Sequence, residues 1–276
     1  MPPEAIDFRH KRENILQFLK EPAWTKKDID LLREKVLNDK KLKSRTDDEF
    51  LLRFLRARKF DQERSFKMLK NYYSTKKKYP EVFKNFSPSS SLEALKDNFL
   101  MYTSEVDSRG RHIAIGRASA WDVSKVSLVE IIRIAHMFLE EVIREEIVQI
   151  NGFILILDAK GLSARHMLQL TPRMVFTIIN VFLDSFPVRY KEIHVINTSR
   201  LVDIVVAAFW PFLPTKFKQR ISFHHSLESL HSAVEARILP VEYGGQCGSF
   251  DNTLCVQRLL QQEDYLKEQE KFWMLF

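Results

Sequence analysis

Residues 151–158, Asn-Gly-Phe-Ile-Leu-Ile-Leu-Asp, are the stretch of this sequence that decides its fold class. The central run is apolar at every position, which is typical of a strand buried on both faces of a parallel sheet. Further strands are predicted at residues 98–106, 111–117, 192–197 and 220–224. The first two of these flank a turn signal, Asp107-Ser108-Arg109-Gly110.

Helical stretches separate these strands. Apolar residues recur at helical spacing over residues 125–149, 163–184 and 201–213, with an interruption expected near Pro172. Strands that alternate with helices indicate βαβ crossovers. We therefore predict an α/β fold with a largely parallel sheet.

The first 88 residues are different in character, because they are strongly charged and helical throughout. Thr25 and Asp28 have the spacing of a capping box at a helix start, and further helices are predicted to begin within residues 46–49 and to cover 61–78. Residues 87–91, Ser-Pro-Ser-Ser-Ser, are predicted to form a linker. The predicted division is a helical module over 1–88, an α/β domain over 89–250 and a helical tail over 251–276.

Composition narrows the range of functions. The seven glycines occupy no phosphate-binding frame, which disfavours nucleotide-dependent chemistry. The net charge of +7 suits an anionic partner such as a membrane surface or a nucleic acid. Two cysteines and a polar N-terminus predict a cytosolic protein without a disulfide, and no apolar run reaches the roughly 20 residues that a transmembrane helix needs.

Residues 201–213, Leu-Val-Asp-Ile-Val-Val-Ala-Ala-Phe-Trp-Pro-Phe-Leu, form the most informative predicted helix. Asp203 is its only charged residue, so the helix is apolar almost all round. Such a helix is either buried in a core or in contact with lipid. The cations that follow it, Lys216, Lys218 and Arg220, and the upstream pair Arg189 and Lys191 favour a lid beside a membrane-binding patch.

Enzymatic and nucleic-acid functions have weak support. The sequence contains no HExxH, GxSxG or CxxC motif, and the spacing of His224, His225, His231 and Cys247 matches no standard metal site. A triad of Asp158, His194 and a serine lacks a nucleophile-elbow motif. The arginine-rich segment at 50–60 shares its helix with large apolar residues, as expected of a packed helix rather than a nucleic-acid contact.

Several stretches resemble the CRAL-TRIO family of lipid-binding proteins, and within it the group of tocopherol and retinaldehyde carriers. TDDEFLLRFLRARKFD (46–61) and LKNYYSTKKKYPEVF (69–83) look like the helical N-terminal module of that family. NGFILILDAKGLS (151–163), LTPRM (170–174), DSFPVRYKEIHVIN (184–197), WPFLPTKFKQRI (210–221) and ILPVEYGG (238–245) are similar to its lipid-binding domain. The resemblance implies an apolar pocket on a sheet floor, closed by a mobile gate helix near residues 201–213.

The resemblance also implies particular site residues. A basic cleft for phosphoinositide headgroups would use Arg58, Arg189, Lys191 and Arg220, with Lys216 and Lys218 nearby. The lipid pocket would be lined by Ile132, Ala135, Leu139, Phe153, Leu157, Ile178, Val181, Phe182, Phe186, Ile193, Val202, Val205, Val206 and Phe209. No metal, cofactor or nucleic acid is implied.

The sequence departs from the tocopherol carriers at one end of this pocket. Ala135 and Leu139 stand where those carriers offer serine hydroxyls, so a buried polar group of the ligand would need another partner. His136, Ser185 and Tyr190 are the candidates. The resulting hypothesis is a cytoplasmic carrier of a tocopherol-, retinoid- or terpenoid-like lipid that visits endosomal or plasma membranes. The alternative is a phosphoinositide-binding adaptor that transports no ligand.

Overall fold

A computed structural model describes residues 21–273, which fold around a five-stranded sheet in the order β1-β2-β3-β4-β5. The strands are β1 (Leu100–Tyr102), β2 (His112–Arg117), β3 (Phe153–Asp158), β4 (Tyr190–Ile196) and β5 (Ile221–His224). β1 pairs antiparallel with β2, and the other three pairings are parallel. The predicted α/β class and the largely parallel sheet are confirmed.

β3 is apolar from Phe153 to Leu157, with Asp158 at its end, because both of its faces are covered. Ile154 and Ile156 pack into a core on one face of the sheet, together with Ile113 and Ile115 of β2. The alternate residues of β3 face the opposite side, where they border a cavity. Gly152 precedes the strand at a φ of +73°, and a Cβ there would meet the Arg189 carbonyl oxygen at 2.3 Å, so the β3–β4 pairing requires glycine at this position.

The N-terminal part of the described chain is a cluster of helices. They are α1 (Lys26–Asn38), α2 (Asp48–Ala57), α3 (Gln62–Lys78), α4 (Pro80–Phe83) and α5 (Leu92–Leu95). The predicted capping box of Thr25 and Asp28 is present at the start of α1, and Asp47 and Asp61 cap α2 and α3. Aromatic rings form the centre of the cluster, with Tyr72 and Tyr73 packed edge to face at 5.1 Å.

Helices also fill the connections between strands and follow the sheet. The first group is α6 (Leu128–Val142), α7 (Glu146–Asn151), α8 (Ala164–Gln169), α9 (Pro172–Ile179), α10 (Arg200–Phe209) and α11 (Thr215–Lys218). After β5 come α12 (Leu227–His231), α13 (Thr253–Leu260) and α14 (Glu263–Glu270). A π-helical segment, Asn180–Asp184, extends α9. No helix within residues 21–273 combines the length and apolarity that a bilayer span requires.

A buried ion pair joins the N-terminal helices to α6. The Lys76 Nζ lies 2.9 Å from Glu140 Oε1, and the Tyr72 hydroxyl donates to the same carboxylate oxygen at 2.5 Å. Aromatic rings surround the ammonium group, including that of Trp273 at 4.4 Å. His136 contacts Lys76 through Nε2 at 3.2 Å, and burial followed by the charge of Lys76 lowers the pKa of His136 to about 4. The imidazole is therefore neutral at physiological pH.

The structure differs from the predicted elements in three places. Residues 125–149 form two helices, α6 and α7, because the chain turns at Glu145, whose carboxylate pairs with Arg258 and lies 3.4 Å from His112 Nε2. β1 is shorter than predicted because Asn98 adopts a φ of +53°, which interrupts the extended chain. The predicted linker contains a 3-10 helix, Pro88–Ser91, and the Ser89 amide donates to Glu263 at 3.0 Å.

The C-terminal tail packs back on the N-terminal helices. The ring of Phe272 lies 6.4 Å from that of Tyr73, and Trp273 packs edge to face on Phe86 at 6.3 Å. Phe272 and Trp273, which begin the apolar C-terminal end of the sequence, therefore pack against the rest of the protein. Residues 274–276 lie outside the described part of the chain.

Candidate functional site

A cavity of about 520 Å³ lies between one face of the sheet and the helices that connect the strands. Its floor is formed by alternate residues of neighbouring strands, among them Phe153, Leu155 and Leu157 of β3 and Ile193 and Val195 of β4. These are the positions that the period of a strand directs to a single face. Because the lining is almost entirely apolar, the cavity suits a hydrophobic molecule.

Most of the residues predicted to form a lipid pocket border this cavity. They are Ala135, Leu139, Phe153, Leu157, Ile178, Phe182, Ile193, Val202, Val205, Val206 and Phe209. Other lining residues were not predicted from the sequence, and they include Phe138, Trp121, Leu213 and Phe217. Alternation along β3 and β4 could have indicated Leu155 and Val195, since they share a face with Phe153 and Ile193.

Ile132, Val181 and Phe186 were also predicted to line the pocket, but they are not among the residues that border the cavity. Each of the three is at most 2 % exposed, because its side chain is enclosed by other residues of the core. Phe186, for example, packs against His136 with ring centroids 4.8 Å apart.

The helix α10, which we call the gate helix, covers the cavity. Val202, Val205, Val206 and Phe209 form its inner face. Val202 is the only one of its residues that is fully buried, and Ile204 on the outer face is 56 % exposed. The exposed side of the gate helix carries Ile204 and Ala207 together with the charged Arg200 and Asp203.

Other exposed apolar side chains lie on the helices around the gate helix. Phe176 of α9 and Phe212, just beyond the gate helix, pack against each other with ring centroids 4.6 Å apart, and both are exposed. Leu168 of α8 is 81 % exposed. α8 and α9 both contact the gate helix, and we call these exposed apolar residues the apolar rim (Leu168, Phe176, Ile204, Phe212).

Three of the predicted cationic residues come together beside the N-terminal ends of β4 and β5. Burial lowers the pKa of Lys191, and the nearby charges of Arg189 and Arg220 lower it further. The Arg220 guanidinium donates to the Tyr190 carbonyl at 2.6 Å, and that of Arg189 donates to the Ile150 carbonyl at 2.8 Å. Within residues 21–273, no carboxylate forms an ion pair with any of these three side chains. We call them the cationic cluster (Arg189, Lys191, Arg220).

The remaining predicted cations are Arg58, Lys216 and Lys218. Lys59 was not predicted from the sequence, and its charge also lowers the pKa of Lys191. Its neighbour Arg58 lies at the end of α2, where burial and the charge of Arg64 lower its pKa while Asp184 opposes the shift. Lys216 and Lys218 lie on α11, and the Lys218 ammonium packs on the Trp210 ring at 5.5 Å.

The histidines considered as metal ligands or catalytic groups do not line the cavity. His194 Nδ1 lies 2.9 Å from His224 Nε2 in a chain of hydrogen bonds that continues to Ser229, on the face of β4 away from the cavity. His231 contacts the Tyr243 carbonyl at 2.7 Å. The described residues contain no group of His, Cys, Asp and Glu side chains that could hold a metal ion.

The three candidates for a polar contact with a ligand are placed differently. His136 lies in the Lys76 network, and the Ser185 hydroxyl donates to the Asn180 carbonyl at 2.8 Å. Neither residue lines the cavity. Tyr190 does line it, with its ring between those of Phe153 and Phe217 at 4.9 and 5.9 Å.

Comparisons with known proteins agree on one family. The profile described as "CRAL/TRIO domain" matches residues 96–245, and one described as "Pinta-like, UBA domain" matches residues 21–92. A human protein named alpha-tocopherol transfer protein-like is 38 % identical over 250 residues, covering 90 % of this chain and 73 % of that protein. Mouse clavesin-2 is 34 % identical over 252 residues, covering 90 % and 77 %. The crystal structure of Sfh5 has a similar fold, with a TM-score of 0.50 and 14 % identity over 77 % of each chain.

Proposed function

This chain belongs to the CRAL-TRIO family, and we propose that it carries a hydrophobic lipid of a tocopherol, retinoid or terpenoid kind and releases it at membranes that contain phosphoinositides. The observation that carries the proposal is an apolar cavity closed by a helix that, together with its neighbours, exposes large apolar side chains. A helix of this kind suits a protein that shields a lipid in one state and contacts a bilayer in another.

The cavity supplies the driving force for holding the lipid. Its volume of about 520 Å³ falls within the range typical of small-molecule sites. Each Å² of apolar ligand surface removed from water contributes about 25 cal/mol. Because this force is not directional, it favours lipids by size and apolarity rather than by one chemical type.

The apolar rim is the surface that we propose enters the membrane interface. Its side chains lie on three neighbouring segments, so they can enter the interface together, and Lys216 and Lys218 follow Phe212 closely in the chain. Apolar residues flanked by cations are the pattern of a surface that lies in the headgroup region. Anionic lipids attract each nearby basic residue by about 1 kcal/mol.

The cationic cluster is the proposed site of the phosphoinositide headgroup, with Arg58, Lys59, Lys216 and Lys218 around it. Lys191 carries a positive charge that is partly buried and surrounded by like charges, so its environment disfavours the charge in the free protein. A phosphate group would relieve that repulsion. A headgroup that binds the open state more tightly would shift the population towards it, and the lipid would then partition into the membrane.

The first test of this proposal is the identification of a bound lipid. The purified protein is measured by native mass spectrometry and then extracted with organic solvent. A stoichiometric terpenoid or other lipid supports the carrier function and names the ligand class. A protein that is free of lipid and takes up neither tocopherol, retinoid nor phospholipid would favour the adaptor function instead.

The second test concerns release. Loaded protein is mixed with acceptor vesicles with or without phosphatidylinositol bisphosphate, and the rate of lipid transfer is measured. Faster transfer to the phosphoinositide vesicles supports the proposed release step. Equal rates would contradict it and leave the carrier function standing.

A further inference from the structure

Three of the polar side chains that border the cavity are bonded to the protein itself. The Tyr102 hydroxyl donates to Glu141 Oε2 at 2.6 Å, and the Trp121 indole donates to the Val126 carbonyl at 2.7 Å. Asp158 accepts from the Asn197 side chain at 2.7 Å. These groups satisfy the general requirement that buried polar atoms be paired, and they have little capacity left for a ligand.

Tyr190 differs from these three residues. The side chain lines the cavity and only 8 % of the residue is exposed, yet none of the described residues forms a hydrogen bond with its hydroxyl. Rings of Phe153 and Phe217 hold the phenol in place on both sides. Burial raises the pKa of Tyr190, so the hydroxyl remains protonated at neutral pH and can donate as well as accept. A buried hydroxyl without a partner is unfavourable.

His112 is the other polar side chain at this end of the sheet, since its backbone pairs with Phe153, which in turn pairs with Tyr190. Its Nδ1 donates to the Thr103 carbonyl at 2.8 Å, and its Nε2 faces Glu145 Oε2 at 3.4 Å. His112 Nε2 nevertheless has no hydrogen-bond partner among the described residues, and neither has Arg117 Nε, but both of these atoms are fully enclosed by the protein. The Tyr190 hydroxyl is not fully enclosed, so it is the unpaired group that a ligand in the cavity can reach.

We infer that the Tyr190 hydroxyl is the polar anchor of the ligand, and that the ligand is an apolar molecule with a hydroxyl or carbonyl group at one end. This inference rests on the proposed carrier function and adds the orientation of the bound molecule. The polar end lies over the start of β4, and the apolar remainder extends towards Leu157 and the gate helix. A fully apolar hydrocarbon would leave the Tyr190 hydroxyl unpaired.

The test is a displacement assay with two matched probes. Diphenylhexatriene, which has no hydrogen-bonding group, reports occupation of the cavity by its fluorescence. It is displaced either by geranylgeraniol, which has a hydroxyl group at one end, or by the matching hydrocarbon, in which hydrogen replaces that hydroxyl group. For each probe, the affinity of Tyr190→Phe is compared with the affinity of the unmodified protein. This ratio is used because the two probes differ in their own hydration.

Tyr190→Phe is expected to weaken geranylgeraniol binding by about fivefold to tenfold, the value of one neutral hydrogen bond, and not to weaken hydrocarbon binding. The matched control is Tyr102→Phe, which removes a hydroxyl that also borders the cavity but is bonded to Glu141. Tyr102→Phe should change the affinities for the two probes by the same factor. Thermal unfolding of each variant verifies that the protein is folded, and Tyr190→Phe should not lower its melting temperature.

The outcomes separate this inference from the carrier function. If Tyr190→Phe affects both probes equally while the unmodified protein binds them, the anchor is refuted and the carrier function stands. If the unmodified protein takes up neither diphenylhexatriene nor either probe, the carrier function fails, and the anchor fails with it.

Discussion

Reversing the charge of Lys191 tests the proposed release step most directly. Lys191 lies at the centre of the cationic cluster, where burial and then the charges of Arg189 and Arg220 lower its pKa. If each basic residue near an anionic surface contributes about 1 kcal/mol, Lys191→Gln should slow transfer to phosphoinositide vesicles about fivefold. Lys191→Glu changes the local charge by two units, so the expected loss is about 30-fold.

The same substitution should not cost stability. A lysine whose pKa is lower in the folded than in the unfolded state is less favourable when charged in the fold. Its charge therefore opposes folding at every pH below the folded-state pKa, and this opposition disappears as the pH rises above the unfolded-state pKa. Removing the charge should leave the melting temperature at pH 7 unchanged or higher. A slower but equally stable variant cannot be explained by unfolding.

The assay compares transfer rates to vesicles with and without phosphatidylinositol bisphosphate. The matched control is Lys84→Glu, because Lys84 is exposed and is not among the charges that shift the pKa of Lys191. High salt should reduce the difference between the variants, since the screening length falls from about 8 Å to about 3 Å between 0.15 M and 1 M. The reasoning is refuted if Lys191→Glu transfers lipid as fast as the unmodified protein, or is slowed equally without phosphoinositide.

Three further predictions follow from the buried ion pair, the apolar rim and the cavity. Lys76→Met leaves the carboxylate of Glu140 buried without its cation and should lower the free energy of unfolding, measured in urea, by about 3–5 kcal/mol. The double variant with Glu140→Leu should recover most of that loss. A single variant that is as stable as the unmodified protein would contradict this prediction. Ile204→Asp places a charge on the exposed face of the gate helix and should reduce cosedimentation with vesicles while lipid uptake stays unchanged; unaltered cosedimentation would argue against the rim. Val206→Trp fills part of the cavity and should lower the amount of lipid that is recovered by extraction, so full stoichiometry would show that the lipid binds elsewhere.

The elements that the sequence predicts well are those whose signal is local. β3 was predicted from its apolar run at residues 153–157, because a strand that is covered on both faces of the sheet demands apolar residues along its length. The start of α1 was also predicted correctly, since Thr25 and Asp28 cap the helix through contacts only three residues apart. Long-range contacts leave no such signal. The break between α6 and α7 depends on Glu145 meeting Arg258, which is remote in the chain.

The candidate site shows the same difference between what local sequence signals predict and what depends on long-range contacts. Periodicity identifies the apolar stripes of α6, but it does not say which stripe borders the cavity and which one meets the N-terminal helices. Ala135 and Ile132 were therefore assigned to the same pocket, although the structure separates them. Lys59 was overlooked because its position beside Lys191 depends on the turn after α2, where its φ is +55°.

The segment between the gate helix and β5 explains how headgroup binding could open the cavity. Residues 213–220 follow the short 3-10 helix Trp210–Phe212 at the end of the gate helix, and they carry three of the proposed headgroup ligands, Lys216, Lys218 and Arg220. The same segment lines the cavity through Leu213 and Phe217, and Phe217 packs on the Tyr190 ring. A phosphate that draws these cations together must therefore move side chains that enclose the ligand. Arg220 also donates to the Tyr190 carbonyl at 2.6 Å, so the proposed headgroup site and the proposed polar anchor share one residue of β4. Headgroup binding and lipid release would then be coupled through direct contacts, and the coupling would act in both directions: a bound lipid would weaken headgroup binding by the same factor.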